Sequence, residues 1–579
     1  MISFNIKDVP FSSCGSYISI SYMDGSFNGF AGKPGVYLRN IHGDAAVKEV
    51  FLIEPVCNSM PVSYELCAVP GILKLVPAEG EAELCVSDPK TLRIRGRGCG
   101  LRLTSNWNTA HDNAIEMETG RWLLNTKKNR ISYMLRMIKG LLRVNAHWDG
   151  LRCENMEIYM TPDPISGMFE LSLHEFRCSW SRKNASQDFD KCVKDVQKNY
   201  ESFLEKMPRV PKSLAKARKL AAYIKWSCIV APEGHLKYPA MLMSKNWMTN
   251  VYSWDHCFNA IALSSGYPQA AWGQFKIFFD VQDESGALPD FVSDCTKVWN
   301  YSKPPIHGWT LKKLMENMKV STEMLCEVYR PLCKWTDWWF EYMDEDDDSI
   351  PQYNHGNDSG WDNSTVFLQR PPIESPDLAA FLIIQMEVLG KVAGMLGYPD
   401  EERSWAARAE ELLGLFKRHF VRDGRLYAYT VKGHVPVKSD SLLLFIPLVL
   451  GRKLPEEILR YMVDELRGNR FLTEYGLATE ATDSNMYTPD GYWRGPIWAP
   501  STMLIVDGLM DIGERKLAEE LVSRFAKLIQ KSGFAENYNA ITGEGLRDRA
   551  YTWTASVFLI LAGGFYKNNI TERLVENSI

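Results

Sequence analysis

The hydrophobic period changes once along the chain, near Asp188, and this change demands two kinds of packing in one molecule. Before it, short alternating runs recur with Gly, Pro, Asn or Asp between them: SYISISY, GVYLRNIHG, KEVFLIEPV, LKLVPA, AELCV, TLRIRGRG, GLLRVNAH and MFELSLHEF. Alternation places every second side chain on one face, and turns at intervals of roughly 8 to 12 residues are the pattern of a β-sandwich. After Asp188 the apolar residues recur at helical spacing. Leu517, Leu521, Val522, Phe525, Leu528 and Ile529 form one stripe with Glu, Arg and Lys between them. Ser375 and Pro376 supply a cap and first turn for a helix over 377–396, and Gly397 stands at its end. Segments 404–420, 455–466 and 214–230 carry the same pattern. The expected architecture is therefore α+β and multidomain: an N-terminal antiparallel β-sandwich over 1–188, a linker over 189–212 and a helical domain over 213–579.

Composition narrows the function classes. With 66 Lys+Arg against 71 Asp+Glu among 579 residues, the formal charge is −5, so no basic footprint for a nucleic acid is present. The first residues lack a basic segment followed by an apolar one. The run 442–450 is broken by Pro447 and too short to span a bilayer, so no membrane partner is expected. Thirteen Cys without C-x-x-C spacing fit buried thiols in a reducing compartment, which makes the cytoplasm the expected location. Aromatic residues reach 12%; flat rings stack on the C–H faces of sugars, but they also fill cores, so their positions must decide.

Four loops hold the candidate chemistry. In 250–258, Trp254 beside Asp255 offers a stacking plate next to a carboxylate that can accept two hydroxyl hydrogen bonds; a core Trp and an N-capping Asp would read the same way. In 344–364, Asp344, Asp346 and Asp348 alternate as in a calcium loop, but Ser349 replaces the turn glycine and His355 the closing Glu, so a solvated acidic loop is favoured. Asp362 differs because it lies between Trp361 and Asn363, where an apolar flank can keep a carboxyl protonated for use as an acid, although alone it reads first as a turn-forming Asp. In 492–498, Arg494 stands between Trp493 and Trp498, a geometry suited to a carboxylate or several hydroxyls, or to Trp-rich packing around a proline turn. In 533–539, Glu536 has Asn and Tyr neighbours, and polar surroundings would keep it ionised to activate a water; in isolation it reads as a surface Glu.

Taken in order, W-D, H-G-x-D-S-G-W-D-N-S, Y-W-R-G-P-I-W and F-x-E-N-Y resemble glycoside hydrolase family 63 and its mannosylglycerate-hydrolase-like relatives, in the clan that includes trehalase. K-P-P-I-H-G-W at 303–309 and S-P-D-L at 375–378 support the resemblance, which spans about residues 215 to 565. It implies an (α/α)6 barrel with the long loops meeting at its wide end, and an inverting hydrolase of an α-linked glucoside or related small α-glycoside. Asp362 is similar to the family's general acid and Glu536 to its general base. Inversion needs roughly 6.5–9.5 Å between the carboxyls to admit a water. Trp254 and Asp255 resemble the residues gripping the −1 sugar, and Trp361, Asn363, Trp493, Arg494 and Trp498 its walls. Lys303 stands where the family often has Gln, and Asn537 where it has bulkier residues, which leaves the leaving group open. Mannosyl- or glucosylglycerate hydrolysis, a disaccharide phosphorylase and a non-catalytic sugar-binding protein are the alternatives. A small carbohydrate is the expected partner; no cofactor is implied, with calcium on the Asp344–Asp348 loop as the alternative.

Overall fold

The computed structural model describes residues 2–25, 30–43, 45, 48–105, 109–181 and 187–576, with side chains through Gly564; Met1 and 577–579, the outer ends of the two expected domains, lie outside the described residues. The alternating runs become two antiparallel sheets. One orders Ile18–Met23, Gly35–Asn40, Glu49–Cys57, Gly100–Ser105, Cys153–Thr161 and Leu141–Trp148, with Met60–Pro61 pairing on the third strand. The other orders Asn113–Glu118, Arg121–Thr126, Ile131–Lys139, Met168–Phe176, Thr91–Arg97, Glu81–Asp88, Ile72–Pro77 and Tyr64–Val69. In Met168–Phe176 the buried residues are Phe169, Leu171, Leu173 and Glu175, one face of the strand. The three apolar ones join Leu84, Ile94, Leu103 and Ile158 in a core between the sheets.

The segment read as a linker is largely helical. Helix α1 (Phe189–Lys206) has Asp188 as its N-cap and buries Phe189, Cys192, Val196, Tyr200 and Phe203. Beyond it come α2 (Ala215–Cys228), α3 (Asp255–Ser264), α4 (Pro268–Lys276), α5 (His307–Asn317), α6 (Thr322–Tyr342), α7 (Pro376–Met395), α8 (Pro399–His419), a 3-10 segment Leu442–Lys453, α9 (Glu456–Arg467), α10 (Ala499–Ile512), α11 (Arg515–Ser532) and α12 (Thr552–Glu576). Contacts close into a ring in the order α3, α5, α7, Leu442–Lys453, α10, α12 and back to α3. Around it, α2 leans on α12, α4 on α3, α6 and α8 on α7, α9 on Leu442–Lys453, and α11 on α10 and α12. This is an (α/α)6 barrel.

Burial explains which helices go where. Every residue of α3 is buried, as are nearly all of the first eighteen residues of α7, so neither needs an amphipathic stripe. The outer α8 buries only Trp405, Ala409, Leu412 and Phe416 and carries acidic residues in its first turn and basic ones in its last, matching the helix dipole. It begins at Pro399, several residues before the expected start. Among the described residues α7 is long and apolar enough to cross a membrane, and most of its surface is instead buried inside the ring.

The sandwich grips the barrel through buried polar contacts. Arg39, fully buried, donates to the carbonyls of Lys245 (2.8 Å) and Asn246 (2.7 Å). Lys245 Nζ returns to Ser12 Oγ at 2.9 Å. On a second loop Asp294 accepts from Gly43 N (2.9 Å) and Arg177 (2.9 Å), and lies 2.6 Å from His42 Nδ1. Loss of a charged donor strands buried carbonyls, so Arg39→Met should cost on the order of 2–5 kcal/mol. A lowered denaturation midpoint checks this, and an unchanged one would show that the interface does not rest on Arg39.

Candidate active site

Three local devices bring the four motifs together at one end of the ring. The strand Ile497–Trp498 pairs antiparallel with Asn537–Tyr538, setting Trp498 opposite Asn537 and so placing the third motif beside the fourth. Asn363 joins the second motif to the third: its Nδ2 donates to Gly491 O (3.0 Å) and its Oδ1 accepts from Trp493 N (2.9 Å). Gly360 joins the second to the first. Its φ is +74°, and a Cβ there would lie 2.7 Å from Trp254 ring atoms, so only glycine lets the loop close on that ring.

The H-G-N-D-S-G turn carries Asp362 on a rigid base. Asp358, buried, accepts from the backbone of Ser302 (3.0 Å), Asn354 (3.1 Å) and His355 (2.8 Å), while Asn357 N donates to His355 Nδ1 at 3.0 Å. Half-buried Asp362 follows buried Trp361. Trp361 lies 4.6 Å from Trp493, which stacks flat on Trp498 at 3.9 Å and an interplanar angle of 5°. Trp254 sits 6.3 Å from Trp493 and edge-on to Trp553 at 5.7 Å. Trp498 is a rear layer, fully buried with its indole N–H on Tyr492 O at 2.8 Å. Asn363 and Trp498, expected as walls, thus spend their polar groups holding the wall in place. Tyr492 sits at φ +63°, an uncommon conformation for a residue with a side chain and one that clusters at functional sites.

Asp255 does not cap α3; Trp254 occupies that position and Asp255 is the first helical residue, without a side-chain cap bond. It is 3% exposed. Burial pushes its carboxyl up to about 8, offset in part by Lys303 and reinforced by the charges of Asp290 and Asp362. Glu536 departs from the sequence-based expectation. Rather than sitting in polar surroundings that keep it ionised, it is 3% exposed. Burial first, and then the neighbouring Asp548 charge, push it up to about 8 against the pull of Arg547, with Asp255 adding a smaller push. The charges of Glu536 and Asp362 both act on the Tyr492 hydroxyl, which places these two carboxyls and Asp255 in one electrostatic field.

Several residues of the site carried no motif. Asp548 accepts from Asn246 Nδ2 (3.1 Å), Trp247 N (3.2 Å) and Ser244 Oγ, and its own carbonyl takes Glu536 N at 2.7 Å. Asp290 faces Lys303 Nζ at 3.1 Å, and Lys303 also donates to Asn357 O (2.9 Å) and Oδ1 (2.5 Å). Asn537 Oδ1 accepts from Arg547 at 3.1 Å. Both departures from the family pattern are therefore tied to protein partners. Arg494 is half-buried, its Nε has no hydrogen-bond partner among the described residues, and its charge reaches buried Glu480. In the acidic loop, Asp344 accepts from Asp348 N (3.3 Å) and Ser349 N (3.0 Å), and Asp348 Oδ1 from Ile350 N (2.8 Å), so the loop folds on its own backbone.

A proton held to about 8 in the fold, where an ordinary Glu releases it near 4.5, makes Glu536 a stability cost that grows with pH. Across that window the folded state keeps the proton and the unfolded chain loses it, so stability falls by about 1.4 kcal/mol per pH unit for this group. Glu536→Gln should therefore melt higher than the native protein, with a gap that widens from pH 5 to pH 8. A gap independent of pH would mean Glu536 is already ionised in the fold.

Residues 248–554, just over half of the chain, match the family model described as the mannosylglycerate hydrolase MGH1-like glycoside hydrolase domain. The mannosylglycerate hydrolase of Thermus thermophilus is 26% identical over 168 residues, 28% of this chain and 38% of that protein. The glucosylglycerate hydrolase of Mycolicibacterium hassiacum is 22% identical over 408 residues, 54% of this chain and 91% of that protein. Among solved structures, a GH63 mannosylglycerate hydrolase of Thermus thermophilus in complex with glucose superposes with a TM-score of 0.52, 18% identity and coverage of 58% of this chain and 98% of its own. A bacterial glucoamylase complexed with acarbose has a TM-score of 0.60 at 10% identity, covering 96% of this chain and 94% of its own, so the likeness of fold takes in the sandwich as well as the barrel. The motifs, the ring of helices and the family match agree: the chain belongs to the mannosylglycerate-hydrolase-like glycoside hydrolases of family 63.

Proposed function

We propose that the protein hydrolyses a small α-glycoside with inversion, Asp362 protonating the glycosidic oxygen and Glu536 taking a proton from the attacking water. The observation that carries this reading is the gathering of Asp362, Asp255 and Glu536 in one field beside Trp254, Trp361 and Trp493. A pair of carboxyls beside a sugar-stacking wall is the equipment of glycoside hydrolysis, in which one gives a proton and the other takes one. Asp255, held neutral near pH 7 by burial, both donates to and accepts from sugar hydroxyls. Relatives named for mannosylglycerate and glucosylglycerate favour glycerate as the leaving group. Arg494, whose Nε has no hydrogen-bond partner among the described residues, is the cation offered to its carboxylate.

A second reading is a neutral α-glucoside. Lys303 and Asn537 differ from the family pattern, and both are occupied by protein partners, which supports a mouth built for another leaving group. The thirteen cysteines are free thiols, which fits a reducing, cytoplasmic compartment.

Proton NMR of the protein with α-glucose disaccharides, glucosylglycerate and mannosylglycerate distinguishes these readings. The β-anomer should appear first, without phosphate; first release of the α-anomer, or a sugar phosphate formed only when phosphate is added, would overturn inverting hydrolysis. Asp362→Asn and Glu536→Gln should each lower kcat by on the order of 100-fold or more while sugar binding persists. As a base, Glu536 must be ionised, so kcat/KM should rise with pH along a limb centred near its value of about 8.

A further inference from the structure

Away from the carboxyl site, four chain segments bring two imidazoles and two carboxylates to one point. They are Asp348 in the acidic loop after α6, Glu374 on the short strand Ile373–Glu374, His419 at the end of α8 and His434 in the turn between Tyr429–Thr430 and Val435–Pro436. One ligand atom from each lies within 4.8 Å of the other three. His419 Nε2 is 2.5 Å from Glu374 Oε2, and His434 Nε2 is 3.6 Å from Glu374 Oε1 and 4.0 Å from Asp348 Oδ2. Both imidazoles thus present the same ring nitrogen to one centre.

Glu374 is the second and independent sign of a ligand. Its side chain is fully buried, and beyond its ion pair with His419 neither carboxylate oxygen has a well-formed hydrogen bond among the described residues. The approach of His419 is close but lacks the alignment of an N–H···O bond, and His419 Nε2 has no hydrogen-bond partner among the described residues. A buried carboxylate whose nearest partners are two imidazoles, neither in a well-aligned hydrogen bond, is one that a cation can complete. Four atoms bound at about 2.0–2.1 Å around a tetrahedral ion would stand roughly 3.3 Å apart, and small side-chain shifts bring the separations here to that value.

We infer that Asp348, Glu374, His419 and His434 form a binding site for a divalent transition-metal ion of the zinc class. Two imidazole nitrogens with two carboxylates suit zinc, whereas calcium takes six to eight oxygens, so this site differs in chemistry from the calcium loop weighed on sequence. His434 also contacts Asp346 Oδ2 at 2.8 Å, a bond it would exchange for the metal. The role is structural. Ile373–Glu374 pairs with Gln352–Tyr353, the strand that leads into the turn carrying Asp362, and Glu374 stands just before the N-cap of α7. One ion would fasten the α8 end, the hairpin and the acidic loop behind that turn.

The test is metal content and spectroscopy rather than turnover. Full-length protein stripped with chelator, loaded with zinc and desalted should retain one more equivalent than the His419→Gln/His434→Gln double variant. His434→Gln alone, at an exposed position, should bind zinc at least about tenfold more weakly, and zinc should raise the melting temperature of the native protein but not of the double variant. Cobalt in place of zinc should give visible bands of four-coordinate nitrogen and oxygen ligation without a thiolate charge-transfer band. Equal zinc retention by native protein and double variant, or a thiolate band that survives in the variant, would assign the metal to cysteines and overturn the site.

Discussion

The buried carboxylate of Asp548 is the joint on which the candidate site turns. It collects Ser244, Asn246 and the Trp247 amide from a loop more than 300 residues earlier, and its backbone oxygen holds the amide of Glu536. The same loop is gripped from the other side by Arg39 of the sandwich. A chain of bonds, charge-assisted at Arg39 and at Asp548 and closed by a backbone hydrogen bond, therefore runs from the β-domain through 244–247 to Glu536. The sandwich acts as a buttress, and its distance from the chemistry does not make it passive.

Holding acids in this place opposes their ordinary chemistry. The ring is lined by helices apolar on nearly all faces, so carboxyls at its mouth lose water and resist ionisation. Asp255 and Glu536 are both pushed up to about 8, and Asp548 adds to the effect on Glu536. Lys303 and Arg547 supply partial compensation through their charge. Shifted carboxyls of this kind gather at functional sites, and here the loops around them are fastened at several points.

Much of the fold was legible in the sequence because burial follows a period. Strands such as Met168–Phe176 bury one face only and so alternate cleanly, and outer helices such as α11 bury one stripe. Asn113–Glu118 was not legible, since it lies at a sheet edge and its residues are half-buried or exposed, including Ile115 and Met117. The short inner helix α3 is buried all round and shows no stripe to read. At the site, Asp362, Glu536, Trp254 and Trp493 stood in recognisable motifs. Asp290 and Asp548 did not, because each is an ordinary Asp whose role comes from partners brought by the tertiary fold. The environment of Glu536 is hidden from the sequence for the same reason: its neighbours in sequence are polar, but burial in the fold excludes water.

Burial keeps Glu536 protonated near neutrality until pH approaches its raised value of about 8. Difference infrared spectroscopy of native protein against Glu536→Gln, in the carbonyl region of protonated carboxyl groups, reads that proton directly. A protonated-carboxyl band assigned to Glu536 should be present at pH 6 and disappear with a midpoint near 8. A Glu536 already ionised at pH 5 would contradict it, and would mean that water or bound cations reach the ring mouth in solution and relieve the burial on which the site depends.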